Sequence, residues 1–218
     1  MSNKQTPLEI EGITESLYAG FWARLGSLLL DIIFVLPILF LALYLNGFGR
    51  YVYFITFIPS LVFGLWYNIY LPKKHGGTPG KLAVGIQIIR LDGEAIGWKE
   101  AFLRHSVVLV ITLLSGAIMT VCLLQADETT FINLSWLKRT AYIMSFSPAF
   151  FVFYNWVNNI WFYGELIVLL TNKRKRAVHD FIAGTVIVRT KYLEQIRAAM
   201  NPSETNLDNA TINENNLT

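Results

Sequence analysis

The fold turns on Leu25–Gly49, LGSLLLDIIFVLPILFLALYLNGFG, a run in which Asp31 is the only charge. A helix needs about 20 residues to cross the hydrocarbon of a bilayer, and this run is longer. Tyr51–Pro72 and His105–Ala126 contain no Asp, Glu, Lys or Arg. The same holds for Thr140–Gly164, which Leu166–Leu170 prolongs beyond Glu165. Runs of this length are not buried strands. Val107–Ile111 is rich in β-branched residues, which disfavour helix in water, but lipid makes internal hydrogen bonding compulsory and overrides that preference. The sequence therefore predicts an all-α transmembrane bundle of four spans.

Composition agrees. Of 218 residues, 54% are hydrophobic, 14% aromatic and only 15% charged, against about 25% charged in a soluble domain. Mean hydropathy is +0.44. So few charges cannot cover a soluble surface, and the bilayer becomes the first expected partner. A net charge of +3 is too small to suggest nucleic-acid binding. The lone Cys122 excludes a disulfide framework and a cysteine-based zinc site. Met1 to Thr14 shows no apolar run with a small-residue cleavage pattern, so no cleaved signal peptide is expected.

Basic residues set the expected orientation. Lys73, Lys74, Lys81, Arg90, Lys99 and Arg104 follow the second run, and Lys173–Arg176 follows the fourth. The two remaining connections hold Arg50 alone, and Lys138 and Arg139 beside Asp127 and Glu128. The inside-positive bias makes the basic segments cytoplasmic, with both termini on that side of the cell inner (cytoplasmic) membrane. The division expected is a cytoplasmic segment 1–17, a transmembrane domain 18–190 and a polar tail 191–218, disordered from Asn201 onward.

Several polar residues lie where lipid should be. An ionised Asp31 in hydrocarbon needs a partner, a proton or water. Arg24 lies two turns earlier on nearly the same face, about 10.5 Å along the axis, which strains direct pairing. Asp31 is thus either a structural anchor or a cation or proton site, with Arg24 controlling its charge. Asn155 and Asn159, four apart in the fourth run, form a polar face able to meet another helix; Asn155 is expected inward and Trp161 in the interface. Pro37, Pro59 and Pro148 are expected to kink their spans.

The chain resembles the RDD family of small membrane proteins. The likeness runs from Tyr18 to about Arg189 and rests on three ordered signatures: YAGFWARLGSLLLD at 18–31, GTPGKLAVGI at 77–86 and RAVHDFIAGT at 176–185. It identifies Arg24 as the family arginine and Asp31 and Asp180 as its aspartates. Relatives often place a second Asp or a small polar residue after the first; here Ile32 follows. The resemblance implies exchange of sodium or a related monovalent cation for protons, as ascribed to a few relatives.

The loops add less chemistry. Gly76–Lys81 fails as a phosphate loop, because His75 stands where its first Gly belongs and Leu82 follows Lys81. It reads as a tight turn, with Thr78 extended before Pro79 and Gly80 in a conformation closed to other residues. Lys81 is either one more inside-positive charge or a partner for a carboxylate. Val84, Ile86 and Ile88 alternate with Gln87 before Asp92-Gly93, predicting a small cytoplasmic hairpin that Thr185–Arg189 could join. His179 beside Asp180 is half a metal site at most, and no zinc spacing is present. Asp180 should instead cap a short helix or pair with Arg24 or Lys81. No hydrolase arrangement is recognisable, so neither an enzyme nor a cofactor is expected. Two classes stay open: a cation/proton secondary transporter, acting as a homo-oligomer because four helices enclose little cavity, and a non-transporting scaffold or regulatory module for partner proteins.

Overall fold

In the computed structural model, which describes residues 5–200, the run around Asp31 forms α1 (Phe21–Leu45), unbroken across Pro37. A short 3₁₀ turn leads to α2 (Val52–Leu65), which also continues through its proline, Pro59. One wider π turn, Trp66–Tyr70, follows, closed by the Leu71 N–H donating to Trp66 O, and passes into α3 (Leu71–His75). Pro72, at the start of α3, lacks the N–H that would bond Asn68 O, and the wider turn lies directly before it. Gly76, left-handed at φ 77°, ends α3. Thr78 is extended, and Pro79 opens α4 (Pro79–Ala83), where its missing N–H costs nothing.

After β1 (Ile86–Arg90) the chain enters α5 (Trp98–Gln125). Two short helices, α6 (Glu128–Asn133) and α7 (Trp136–Ser145), precede α8 (Pro148–Thr171). α9 (Val178–Ala183), β2 (Thr185–Arg189) and α10 (Leu193–Met200) complete the described chain. It is an all-helical bundle carrying one small sheet, and a multi-pass membrane protein.

Among the described residues, three helices are long and apolar enough to cross a membrane: Phe21–Phe48, Val52–His75 and Trp98–Gln125. The expected fourth run does not form one apolar span. It divides at Phe146 and Ser147, so its first part belongs to α7 and Pro148 starts α8 rather than kinking a span. Within α8, Asn155, Asn158, Asn159 and Glu165 interrupt the apolar surface. Elsewhere apolar side chains such as Ile33, Ile55 and Val110 face outward, as lipid-facing residues must.

The expected hairpin also takes another form. Ile89 and Ala95 make a single bridge, whereas β1 pairs with β2 antiparallel from Ile86↔Arg189 to Arg90↔Thr185. Both faces of this ribbon are covered. Ile86, Ile88 and Ile187 pack with Ala19, Ile69 and Ala101 on the helical side. Ile89, Val186 and Val188 pack with Leu17, Tyr18 and Ile196 on the other. Burying one such side chain contributes about 1.5–3 kcal/mol, and a two-stranded ribbon needs that support to persist. Of the polar tail expected over 191–218, Lys191–Met200 is folded, with Ile196 buried, while 201–218, the segment expected to be disordered, lies outside the described residues.

Candidate functional site

α1 and α4 lie close enough that no Cβ fits between them at residue 80. A methyl group there would stand 2.3 Å from Ser27 O and 2.7 Å from the Asp31 carboxylate. Gly80 is thus required for close approach, and not for the unusual backbone conformation its turn suggested, since it is helical. The approach brings the Gly80 N–H to 2.8 Å from Asp31 Oδ1. Tyr67, turned inward by the π segment, donates its hydroxyl to the same oxygen at 2.6 Å. Thr78 donates to Oδ2, also at 2.6 Å, and Lys81 Nζ stands 3.7 Å from that oxygen. The Asp31 side chain keeps only 12% exposure. Its charge is met by three hydrogen bonds and one ammonium, which is what a carboxylate in a low-dielectric setting requires.

A second acid sits at the same end of the bundle. Asp180 is wholly buried, with Arg24 Nη1 2.9 Å from Oδ2 and Arg104 Nη1 against Oδ1. The Ala177 N–H donates to Oδ2 at 2.9 Å, closing the first turn of α9. Thr185 and Arg104 also bond each other, tying β2 to α5. Burial alone would raise the Asp180 carboxyl, but Arg104 and Arg24 outweigh it and hold the group well below the usual carboxylate range. Arg24 further donates to Ala19 O and Lys175 O. Four segments of chain therefore close on one carboxylate.

The two acids are neighbours with different partners. Lys81 lies between their fields: burial pulls its ammonium down to about 8, Asp31 opposes this, Arg104 and Arg24 add to the lowering, and Asp180 opposes again. Arg24 does not bond Asp31, because two turns of helix carry it to Asp180 instead. His179 is drawn to α8, where its N–H and Nδ1 meet Glu165 at 3.0 and 2.8 Å.

Asn155 and Asn159 are not part of this arrangement. Both are exposed on α8, and Asn159 Nδ2 bonds Asn155 O and Oδ1 on its own helix. Sequence reasoning missed Tyr67, Thr78, Arg104, Thr185 and Glu165. The sequence signal for Arg104 is a guanidinium that opens an apolar run, the mirror of a carboxylate within one.

The model of the RDD family matches residues 18–184. No curated protein and no solved structure matches the chain.

Proposed function

We propose that this chain, which belongs to the RDD family over residues 18–184, is a non-transporting membrane module that holds a folded platform at the cytoplasmic surface for partner proteins. The observation that carries this reading is the closure of Asp31. A carboxylate that exchanges a cation for a proton must meet water from each side in turn. Here both oxygens are occupied by Tyr67, Thr78 and Gly80, and Lys81 supplies the countercharge. Arg24 is committed to Asp180 and leaves Asp31 alone. The two acids act as rivets: one fixes α4 to α1 and to the π turn that follows α2, the other fixes α9 and β2 to α1 and α5. The platform is the ribbon with its covering segments at Leu17–Tyr18 and α10.

On this reading α8 is a fourth crossing. Its first turns join the cluster of Cys122, Phe131 and Ile143 through Phe151, and Glu165 near its other end meets His179 beside the two acids. Its 24 residues extend about 36 Å, enough for a hydrocarbon core of about 30 Å. Even crossings then keep both described ends on the basic, cytoplasmic side.

One observation favours the alternative of a cation/proton carrier. Lys81 approaches Asp31 only to 3.7 Å and keeps 23% side-chain exposure, and burial pulls its ammonium down to about 8, so Lys81 can release a proton close to neutral pH. Full-length protein in sealed vesicles with an internal pH dye, given sodium, potassium and lithium pulses, separates the readings. The module produces no cation-dependent proton flux. Flux that disappears on Asp31→Asn overturns it.

A further inference from the structure

At the end of the bundle opposite Asp180, a cavity of about 610 Å³ opens between the ends of α1 and α5 and the starts of α2 and α8, with α7 across it. Leu43, Met119 and Met144 belong to its apolar wall. The charged side chains in its lining are of one sign, Arg50 and Arg139, and among the described residues no Asp or Glu contributes to it. Arg139 donates to Gly47 O and Ile132 O. A guanidinium carries five N–H donors, so two bonds leave three unused, and the buried Nε is one of them. Among the described residues no carboxylate pairs with Arg139; Glu128 at this end is taken by Arg50, and Asp127 by Thr129 and the Thr130 N–H. Asn155 lines the same space, and its Nδ2 donates to no group among the described residues. Its Oδ1 already accepts from Asn159.

An apolar wall facing an edge that carries two guanidiniums, Arg50 and Arg139, and no carboxylate selects an amphiphile with an anionic head. Arg139 is half-buried with its Nε buried and unpaired; a buried donor without a partner is costly, and an incoming phosphate oxygen would relieve it through charge-assisted, two-point hydrogen bonds. The location suits a lipid rather than a free anion: exposed Tyr44, Tyr51 and Trp136 cluster at this end, as aromatic side chains do at headgroup level. We propose that this cavity binds an anionic phospholipid, with the phosphate on Arg139 and Asn155 and the start of an acyl chain along Leu43, Met119 and Met144. The site is independent of Asp31 and of whether the protein transports.

The test titrates full-length protein in detergent with short-chain phosphatidylglycerol, phosphatidylcholine of equal chain length and inorganic phosphate. Intrinsic tryptophan fluorescence, to which Trp136 in the cavity wall contributes, and the melting temperature are the readouts. Phosphatidylglycerol should bind about tenfold tighter than phosphatidylcholine, the scale of one charge-assisted contact, and Arg139→Gln should erase the preference. Because Arg139 also anchors two carbonyls, Asn155→Leu and the cavity-filling Met144→Trp serve as variants that leave those anchors in place; both should weaken phosphatidylglycerol binding. Equal binding of the two lipids, saturation by inorganic phosphate alone, or full binding by folded Met144→Trp overturns the proposal.

Discussion

Arg24 and Asp180, 156 positions apart in the chain, meet at 2.9 Å with the carboxylate fully buried. That contact, with Arg104 on the other oxygen, joins the first membrane helix to the last part of the folded domain. Removing one member of a buried pair costs more than the pair contributes, because the remaining charge keeps its desolvation penalty. Asp180→Asn, which strands two guanidiniums, should lower stability by about 3–5 kcal/mol. Arg104→Met should cost less, since Arg24 stays with Asp180. Chemical unfolding of both variants in detergent checks the order.

Gly80→Ala tests the close approach of α4 to α1. The new methyl group would overlap Ser27 O, which is backbone and cannot rotate away. Overpacking of this kind costs about 1–3 kcal/mol, and moving α4 also lengthens the Gly80 N–H contact to Asp31. The expected result is a lower melting temperature than for Gly64→Ala, where an added Cβ meets nothing within 4 Å.

Asp31→Asn keeps the shape and one acceptor of the side chain but loses the charge facing Lys81. Asp31→Leu leaves the Tyr67 and Thr78 hydroxyls and the Gly80 N–H without an acceptor, at about 1–3 kcal/mol for each buried group left unpaired. Leu should therefore destabilise more than Asn, measured by thermal unfolding of both in the same detergent. The opposite order would mean that charge outweighs hydrogen bonding at this position.

Stability should also depend on pH through Lys81. Its folded value of about 8 lies below the ordinary 10.5, so between these values the unfolded chain holds one more proton. Stability then rises with pH across that window, and Lys81→Met should flatten the rise. Asp180 has the opposite sense: held below its ordinary 3.8, it contributes above that value, and the contribution is lost as pH falls below it. Melting temperatures from pH 3 to 10.5 read both limbs.

Topology is open to cysteine labelling, since the native Cys122 is buried. Single cysteines at Arg90 and Thr130 occupy opposite ends of α5. A membrane-impermeant maleimide applied to cells should label Thr130→Cys and spare Arg90→Cys. The reverse pattern would invert the protein in the membrane, and labelling of both would break the proposed crossings.

What was legible in the sequence follows from short-range constraints. Long uncharged runs must become helices in lipid, because backbone groups there have no other partner; this determined α1, α2 and α5. Period-two alternation marked Ile86–Ile88 as a strand, and the β character of Thr185–Arg189 marked a partner able to join it. Asp31 stood out because a carboxylate in such a run demands a partner. The identity of that partner was not legible. Tyr67 reaches Asp31 through a π turn, Gly80 through an approach that only a missing Cβ permits, and Arg24 passes Asp31 by to meet Asp180 and Arg104. Which of several basic and hydroxyl groups meets which acid depends on how helices far apart in the chain pack. Local periodicity carries no information about that packing, so only the tertiary structure decided it.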